Sequence, residues 1–131
     1  MSTDKDWEKW GRDNPYFGVL SREEYLGGNL SNEAWEKFFA SGAAHVDSVF
    51  EWIGESGAEP FSPQTILDFG CGVGRLLIPF AKKAKQVTGV DVSPAMLDQA
   101  RQNLDQHGTE NVELVCTRES LSAIKGTFDL V

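Results

Sequence analysis

The fold is decided by residues 65–91, which begin TILDFGCGVG (Thr65 to Gly74) and end at Asp91. A short apolar run enters three alternate glycines, and a helical segment and a second apolar run follow. A strand that leads through glycines into a helix brings backbone N–H groups, and the positive end of the helix dipole, towards a ligand. The stretch therefore predicts a site for a nucleotide-like ligand.

NAD-binding domains and other doubly wound nucleotide binders share this order of elements: a strand, a glycine turn, a helix, a second strand and an acidic residue. The dinucleotide fingerprint needs a third glycine three residues after the second, and this chain has Arg75 there. An NAD-dependent oxidoreductase-type Rossmann domain is therefore the weaker alternative. A non-catalytic nucleotide-binding module shares the same features and is a third.

An acid stands close before the glycines: Asp68 lies two residues ahead of Gly70, the first of the series Gly70, Gly72 and Gly74. Here the chain resembles the class I S-adenosyl-L-methionine-dependent methyltransferases, whose first motif is an acid followed by G-x-G-x-G at the end of the first strand. The resemblance covers residues 65–131. It implies a Rossmann-like α/β fold with a doubly wound parallel sheet, S-adenosyl-L-methionine as cofactor and methyl transfer, for which we expect a small-molecule acceptor.

The resemblance also implies how the cofactor is held. Residues 70–74 would approach its methionine part, Asp68 would hold its amino group, and Asp91 would accept hydrogen bonds from both ribose hydroxyls. Val92 and Met96 would touch the adenine. The predicted cofactor-binding residues are Tyr16, Asp68, Gly70, Cys71, Gly72, Gly74, Arg75, Asp91, Val92, Ser93, Met96 and Glu119.

The third strand departs from the family pattern. Arg118 stands where the family often has an acid that accepts from the adenine amino group. Either Glu119 or a backbone carbonyl would then make this contact. The sequence names no catalytic base, because Asp129, the nearest carboxylate in the fourth strand, is more simply a strand-end acid.

The N-terminal part, residues 1–63, is predicted to be a helical segment and a linker. Ser31 would cap a long helix over residues 32–55, whose apolar residues recur at spacings of three and four. Tyr16 and Phe17 have two interpretations. They either cover one face of the sheet or fold over the cofactor as part of a lid.

Residues 64–131 are predicted to form the cofactor-binding core. We expect helices at 75–84 and 94–106, strands at 65–69, 86–90 and 111–116, a helical turn at 121–124 and a fourth strand from 127. Alternation of strands and helices implies a parallel sheet, for which the family order is 3-2-1-4. The family fold has seven strands, so we expect an incomplete sheet whose open edge favours association. A cut chain, a completing partner and a truncated gene are the alternatives.

Composition limits the partners. A chain of 131 residues that is 40% hydrophobic can bury one core. A net charge of -8 predicts that a nucleic-acid partner is unlikely. Cys71 and Cys116 have no metal-ligand spacing, and we predict no metal site. Neither a signal peptide nor a membrane-length apolar run is present in the sequence, so we expect a cytoplasmic protein.

Overall fold

The computed structural model describes residues 3–57, 60–118 and 121–131. Helices precede an alternation of strands and helices. The elements are α1 (Thr3–Asp13), α2 (Pro15–Val19), α3 (Asn32–Glu55), β1 (Thr65–Phe69), α4 (Leu77–Ala81), β2 (Gln86–Asp91), α5 (Pro94–Gln106) and β3 (Val112–Cys116), with 3-10 turns at Glu23–Tyr25 and Leu121–Ala123. This order confirms the predicted Rossmann-like α/β class with N-terminal helices.

The sheet has β2 in the middle, paired in parallel with β1 and with β3. Val87 of β2 is in register with Ile66 of β1 and with Val112 of β3. Leu130 adds an isolated parallel bridge to Ile66. The order 3-2-1 is as predicted. The described residues form no fourth strand beyond this single bridge, so the full order 3-2-1-4 is not confirmed.

The helix starts follow local sequence signals. The Ser31 side chain accepts from the backbone N–H of Ala34 at 3.1 Å, which satisfies one of the free donors at the start of α3. The Ser93 side chain does the same for Met96 at the start of α5, where Pro94 occupies the first turn. The predicted Ser31 cap is confirmed.

The helix predicted over residues 75–84 is shorter than expected, because α4 covers only Leu77–Ala81. Pro79 has no N–H to donate to a preceding turn. After it, the N–H groups of Lys82 and Lys83 bond to carbonyls three residues back, those of Pro79 and Phe80, at 3.3 and 2.9 Å. This tighter hydrogen bonding ends the helix one turn early.

The longest helix, α3, packs on the start of α4. Gly42 allows this approach, because a Cβ there would collide with the carbonyl oxygen of Arg75. The same helix carries Phe38 and Phe39 into an aromatic cluster with Tyr16. Although α3 has 24 residues, no helix in the described ranges combines the length and hydropathy that a bilayer crossing requires.

Candidate functional site

A cavity of about 420 Å³ lies at the carboxyl ends of β1 and β2. Its volume is in the range of small-molecule sites, and this end of an open parallel sheet is where α/β proteins bind their ligands. The predicted site residues that line it are Gly70, Gly72, Asp91, Val92 and Met96. The structure therefore brings together the residues expected at the methionine, ribose and adenine parts of the cofactor.

The opposite wall of the cavity is formed by N-terminal residues other than Tyr16 and Phe17, the two residues considered for a lid. It comes from α1 and the end of α2, and we call its residues the cover: Thr3, Asp4, Trp7, Gly18 and Val19. Phe69, Val90 and Thr117 complete the lining. The i, i+4 spacing of Thr3 and Trp7 places them on one face of α1, but nothing in that spacing indicates which part of the chain the face meets.

The glycine loop, residues 70–74, has most of its donors already occupied. The N–H groups of Gly70 and Cys71 both donate to the Val90 carbonyl, at 2.7 and 2.9 Å, and that of Gly74 donates to the Cys71 carbonyl at 3.0 Å. The expectation of bare N–H groups facing the ligand is therefore wrong for these three. The helix that follows the loop is also only five residues long, so it offers little dipole to an anion.

Backbone conformation, and not anion binding, accounts for the glycines. Gly70, Gly72 and Gly74 have φ values of +75°, +52° and +90°, in the left-handed region that residues with a Cβ rarely adopt. A Cβ at Gly72 would also lie 2.8 Å from a Val19 methyl group of the cover. The loop thus needs glycine both for its path and for the space it leaves beside the cavity.

Asp91 is fixed between the loop and α5. Its Oδ2 accepts from the N–H of Gly72 at 2.9 Å, and its Oδ1 accepts from the N–H of Ser93, also at 2.9 Å. Each carboxylate oxygen has room for a further donor. The side chain is therefore a pre-oriented acceptor for two donors of a ligand.

Asp68 lies half-buried at the end of β1 and does not line the cavity. Burial, and then the negative charge of Asp91, raise the pKa of Asp68 to about 6. Burial and these two carboxylates also raise the pKa of the Cys71 thiol, which makes it an unreactive thiol. Two neighbouring carboxylates of this kind are best stabilised by a cation.

Several predicted site residues lie away from the cavity lining. Arg75 turns towards α3, where its Nε donates to Ser41 Oγ at 3.1 Å and its Nη2 to the Ser41 carbonyl at 3.3 Å. Cys71 and Gly74 are buried in the loop behind Gly72. Glu119 lies outside the described residues.

Tyr16 is also placed differently from the prediction. It is 3% exposed, its ring packs edge-on against Phe38, and its hydroxyl donates to Asn103 Oδ1 at 3.0 Å. The hydroxyl is bonded in the protein interior, so Tyr16 packs in the core and does not line the cavity. The aromatic residue that reaches the cavity from the N-terminal segment is Trp7.

The cover is attached at the start of α5. Glu8 Oε2 accepts from Ser93 Oγ at 2.7 Å and from the N–H of Ala95 at 3.2 Å. Burial alone would raise the pKa of Glu8, but these two hydrogen bonds hold it below its ordinary value. Gly11 allows close contact, because a Cβ there would lie 2.7 Å from Ser93 Oγ. Ser93 thus joins the cover to Asp91.

Comparison with known proteins identifies the family. Residues 66–131, half of the chain, match the methyltransferase domain family. The chain is 42% identical over 69 residues to the 23S rRNA (uracil(1939)-C(5))-methyltransferase RlmD of Shewanella frigidimarina, an alignment that covers 53% of this chain and 14% of that protein. It is 36% identical over 78 residues to the aklanonic acid methyltransferase DauC of Streptomyces sp. strain C5, covering 56% of this chain and 36% of that protein.

The first of these relatives corrects one prediction. Net charge made a nucleic-acid partner unlikely, whereas the relative from Shewanella frigidimarina is named an rRNA methyltransferase. A net charge averages over the whole surface and does not report the field around one site. The prediction that a nucleic-acid partner is unlikely is therefore wrong.

A solved structure gives the same family at the level of the fold. Magnesium protoporphyrin IX methyltransferase (ChlM) from Synechocystis PCC 6803, determined with bound SAM, aligns with 99% of this chain and 61% of its own, at a TM-score of 0.56 and 25% identity. Both the N-terminal helices and the parallel sheet lie within that alignment. The chain belongs to the methyltransferase domain family.

Proposed function

We propose that this chain is the cofactor-binding part of an S-adenosyl-L-methionine-dependent methyltransferase, and that the cavity between the glycine loop and the cover holds the cofactor. The observation that carries the proposal is Asp91, whose two oxygens are oriented by Gly72 and Ser93 at the cavity wall. The names of the relatives, and the SAM bound to ChlM, support it.

The electrostatics of the site favour this cofactor over a dinucleotide. S-adenosyl-L-methionine carries a sulfonium and an ammonium group, and both are cations that neighbouring carboxylates stabilise. A dinucleotide brings a pyrophosphate, which needs free N–H donors. Here the N–H groups of Gly70, Cys71 and Gly74 already donate within the protein, and Asp68 and Asp91 would repel the phosphates.

Four residues of the lining, and Asp68 outside it, have roles in this proposal. Asp91 accepts from the ribose hydroxyls, Asp68 pairs with the ammonium group, and Val92 and Met96 contact the adenine. Gly72, which has no side chain, leaves space for the methionine part. When bound, the cofactor supplies the activated methyl group, while these residues orient it and the cover excludes water.

We assign no acceptor to this chain. It spans 14% and 36% of the two relatives described above, and these are named for an rRNA and for a small acid. For location we propose a reducing compartment, the cytoplasm, because Cys116 is an exposed free thiol and such compartments keep thiols reduced.

Calorimetric titration of the chain with S-adenosylhomocysteine, and separately with NAD, tests the proposal. We expect saturable binding of S-adenosylhomocysteine and none of NAD. The Asp98→Ala variant is a matched control, since Asp98 is an exposed carboxylate on α5 that pairs with Arg101, and it should bind as the wild type does. Binding of NAD alone, or of neither ligand, would overturn the proposed function.

A further inference from the structure

A buried amide holds the glycine loop from behind. Asn103 on α5 is fully buried, and its Nδ2 donates to the carbonyl oxygen of Val73 at 2.9 Å. Val73 lies between Gly72, which lines the cavity, and Gly74. Asn103 itself is absent from the cavity lining, so it influences a ligand there through the residues that it holds, Val73 of the loop first among them.

The orientation of this amide is fixed by its other end. Asn103 Oδ1 accepts from the Tyr16 hydroxyl at 3.0 Å, from Gln99 Nε2 at 3.3 Å and from Trp35 Nε1 at 3.4 Å. An indole N–H can only donate, so the amide oxygen must face Trp35. The NH₂ group is thereby directed towards the Val73 carbonyl.

The peptide between Val73 and Gly74 is held on both sides. Its carbonyl accepts from Asn103, and its N–H, which belongs to Gly74, donates to the Cys71 carbonyl at 3.0 Å. Gly74, whose N–H belongs to this peptide, has a positive φ, and a glycine could rotate readily in the absence of such bonds. The peptide cannot turn over without breaking both.

We propose that Asn103 is a positioning residue for cofactor binding: it fixes the peptide between Val73 and Gly74, and with it the shape of the loop wall at Gly72. Tyr16 acts one step further away by orienting the amide. This inference rests on the proposed function, because it concerns the ligand of the same cavity. A loop that is already ordered loses less conformational entropy when it binds.

The Asn103→Asp variant tests the donor specifically. It keeps the size of the side chain and the acceptor for Tyr16 and Trp35, but it replaces the NH₂ group with an oxygen facing the Val73 carbonyl. We expect S-adenosylhomocysteine to bind at least about tenfold more weakly, and amide hydrogen exchange to accelerate over residues 70–74. Tyr16→Phe, which removes one of three donors to Oδ1, should weaken binding only about two- to threefold.

The control is a variant that destabilises the fold elsewhere. Val46 on α3 is fully buried and outside the cavity lining, so Val46→Ala should lower the melting temperature without changing affinity or loop exchange. All titrations use a temperature at which circular dichroism shows every variant folded. If Asn103→Asp does not fold, Tyr16→Phe decides, since it keeps the packing of the ring.

The outcomes separate the two proposals. If the wild type does not bind S-adenosylhomocysteine, the proposed function fails and this inference fails with it. If the wild type binds, and both Asn103→Asp and Tyr16→Phe bind within a factor of about 1.5 of it, the inference alone is overturned. Equal acceleration of loop exchange in Val46→Ala would also overturn it, because the effect would then be general destabilisation.

Discussion

The two walls of the cavity differ in where they come from along the chain. One wall, the glycine loop with Asp91 and Met96, lies within residues 70–96 and follows directly from the strand, turn and helix signals around it. The other wall, the cover, comes from residues 3–19 and reaches the cavity across most of the chain. Local signals can therefore predict the first wall, whereas only long-range packing positions the second.

Ser93 is the point where the two walls meet. Its backbone N–H donates to Asp91, and its hydroxyl donates to Glu8 of α1. The hydroxyl also accepts from Met96 as the cap of α5. A substitution in either wall should therefore perturb the start of α5. Variants in each wall measure how strongly the two walls are coupled.

The largest effect is expected from Asp91→Ala in the first wall. Two ribose hydroxyls lose a charged acceptor, each hydrogen bond being worth at least about 1.5 kcal/mol, so S-adenosylhomocysteine should bind about a hundredfold more weakly. The melting temperature should fall as well, because the N–H groups of Gly72 and Ser93 lose their partner. Calorimetry and thermal unfolding measure both, with Asp98→Ala as control. Unchanged affinity would remove Asp91 from the site.

Asp68→Asn is expected to have two smaller effects of opposite sign: it should raise the stability of the fold at pH 7.5 and weaken the binding of the ligand. The folded state raises the pKa of Asp68 from 3.8 to about 6 through burial and the charge of Asp91, so the ionised form is disfavoured in the folded protein. The resulting loss in the free energy of unfolding is absent below about pH 4, grows between about pH 4 and 6 and is complete above that range. Asp68→Asn should therefore melt higher than the wild type at pH 7.5 and equally at pH 4.

The same variant should bind more weakly, by about tenfold, because the ammonium group loses its partner, worth about 1.5 kcal/mol. For the wild type, affinity should rise with pH through about 6 as Asp68 ionises. Titration at pH 5 and 7.5 measures this dependence, and Asp98→Asn is the matched control. A variant that is both more stable and fully competent to bind would show that Asp68 has no role in the site.

A third prediction concerns the place where the two walls touch, between Gly72 of the loop and Val19 of the cover. Gly72→Ala places a Cβ at a positive φ and 2.8 Å from a Val19 methyl group, so affinity should fall several-fold. Adding Val19→Ala removes the clash but not the backbone strain, which is about 1 to 2 kcal/mol. The double variant should therefore recover only part of the affinity and of the melting temperature.

Gly57→Ala is the control for strain alone, since Gly57 has a φ of +87° and a Cβ added there would have no atom within 4 Å. It should lower the melting temperature slightly and leave affinity unchanged. Should the double variant bind no better than Gly72→Ala, the contact between loop and cover at Val19 would have no part in binding.

The smallest effect is expected from Glu8→Gln on α1, the residue that attaches the cover to α5. The amide can still accept from Ser93, but its negative charge at the start of α5 is lost, an interaction worth about 0.3 to 1 kcal/mol. Affinity should fall about two- to threefold at low salt, and the difference should shrink in 1 M NaCl. Glu33→Gln at the start of α3 is the control, and an equal loss there would contradict a role for the cover.

Residues with local determinants could be predicted from the sequence. The bounds of α3 and α5 follow from the Ser31 and Ser93 caps and from apolar spacing. Asp91 is expected at a strand end because an apolar run stops there. At Gly42 the sequence indicates only a weak point in a helix. A glycine is needed there because a Cβ would collide with the carbonyl oxygen of Arg75, which belongs to a distant segment.

Residues whose role depends on a distant partner could not be predicted. The sequence leaves open whether Tyr16 covers the sheet or folds over the cofactor, and what decides its position is Asn103, 87 residues away, which accepts from its hydroxyl in the interior. Free loop N–H groups are expected because the sequence does not show that the Val90 carbonyl accepts two of them. In both cases the deciding atom belongs to another element.

The most direct test of the account is the amide NMR spectrum of the ¹⁵N-labelled chain during titration with S-adenosylhomocysteine. We expect the signals of Gly72 and Met96 to shift together with that of Trp7, because both walls contact one ligand, while the signal of Val46 on α3 stays unchanged. Shifts confined to residues outside the cavity, or shifts of Gly72 and Met96 without Trp7, would contradict the claim that the cofactor lies between the glycine loop and the cover.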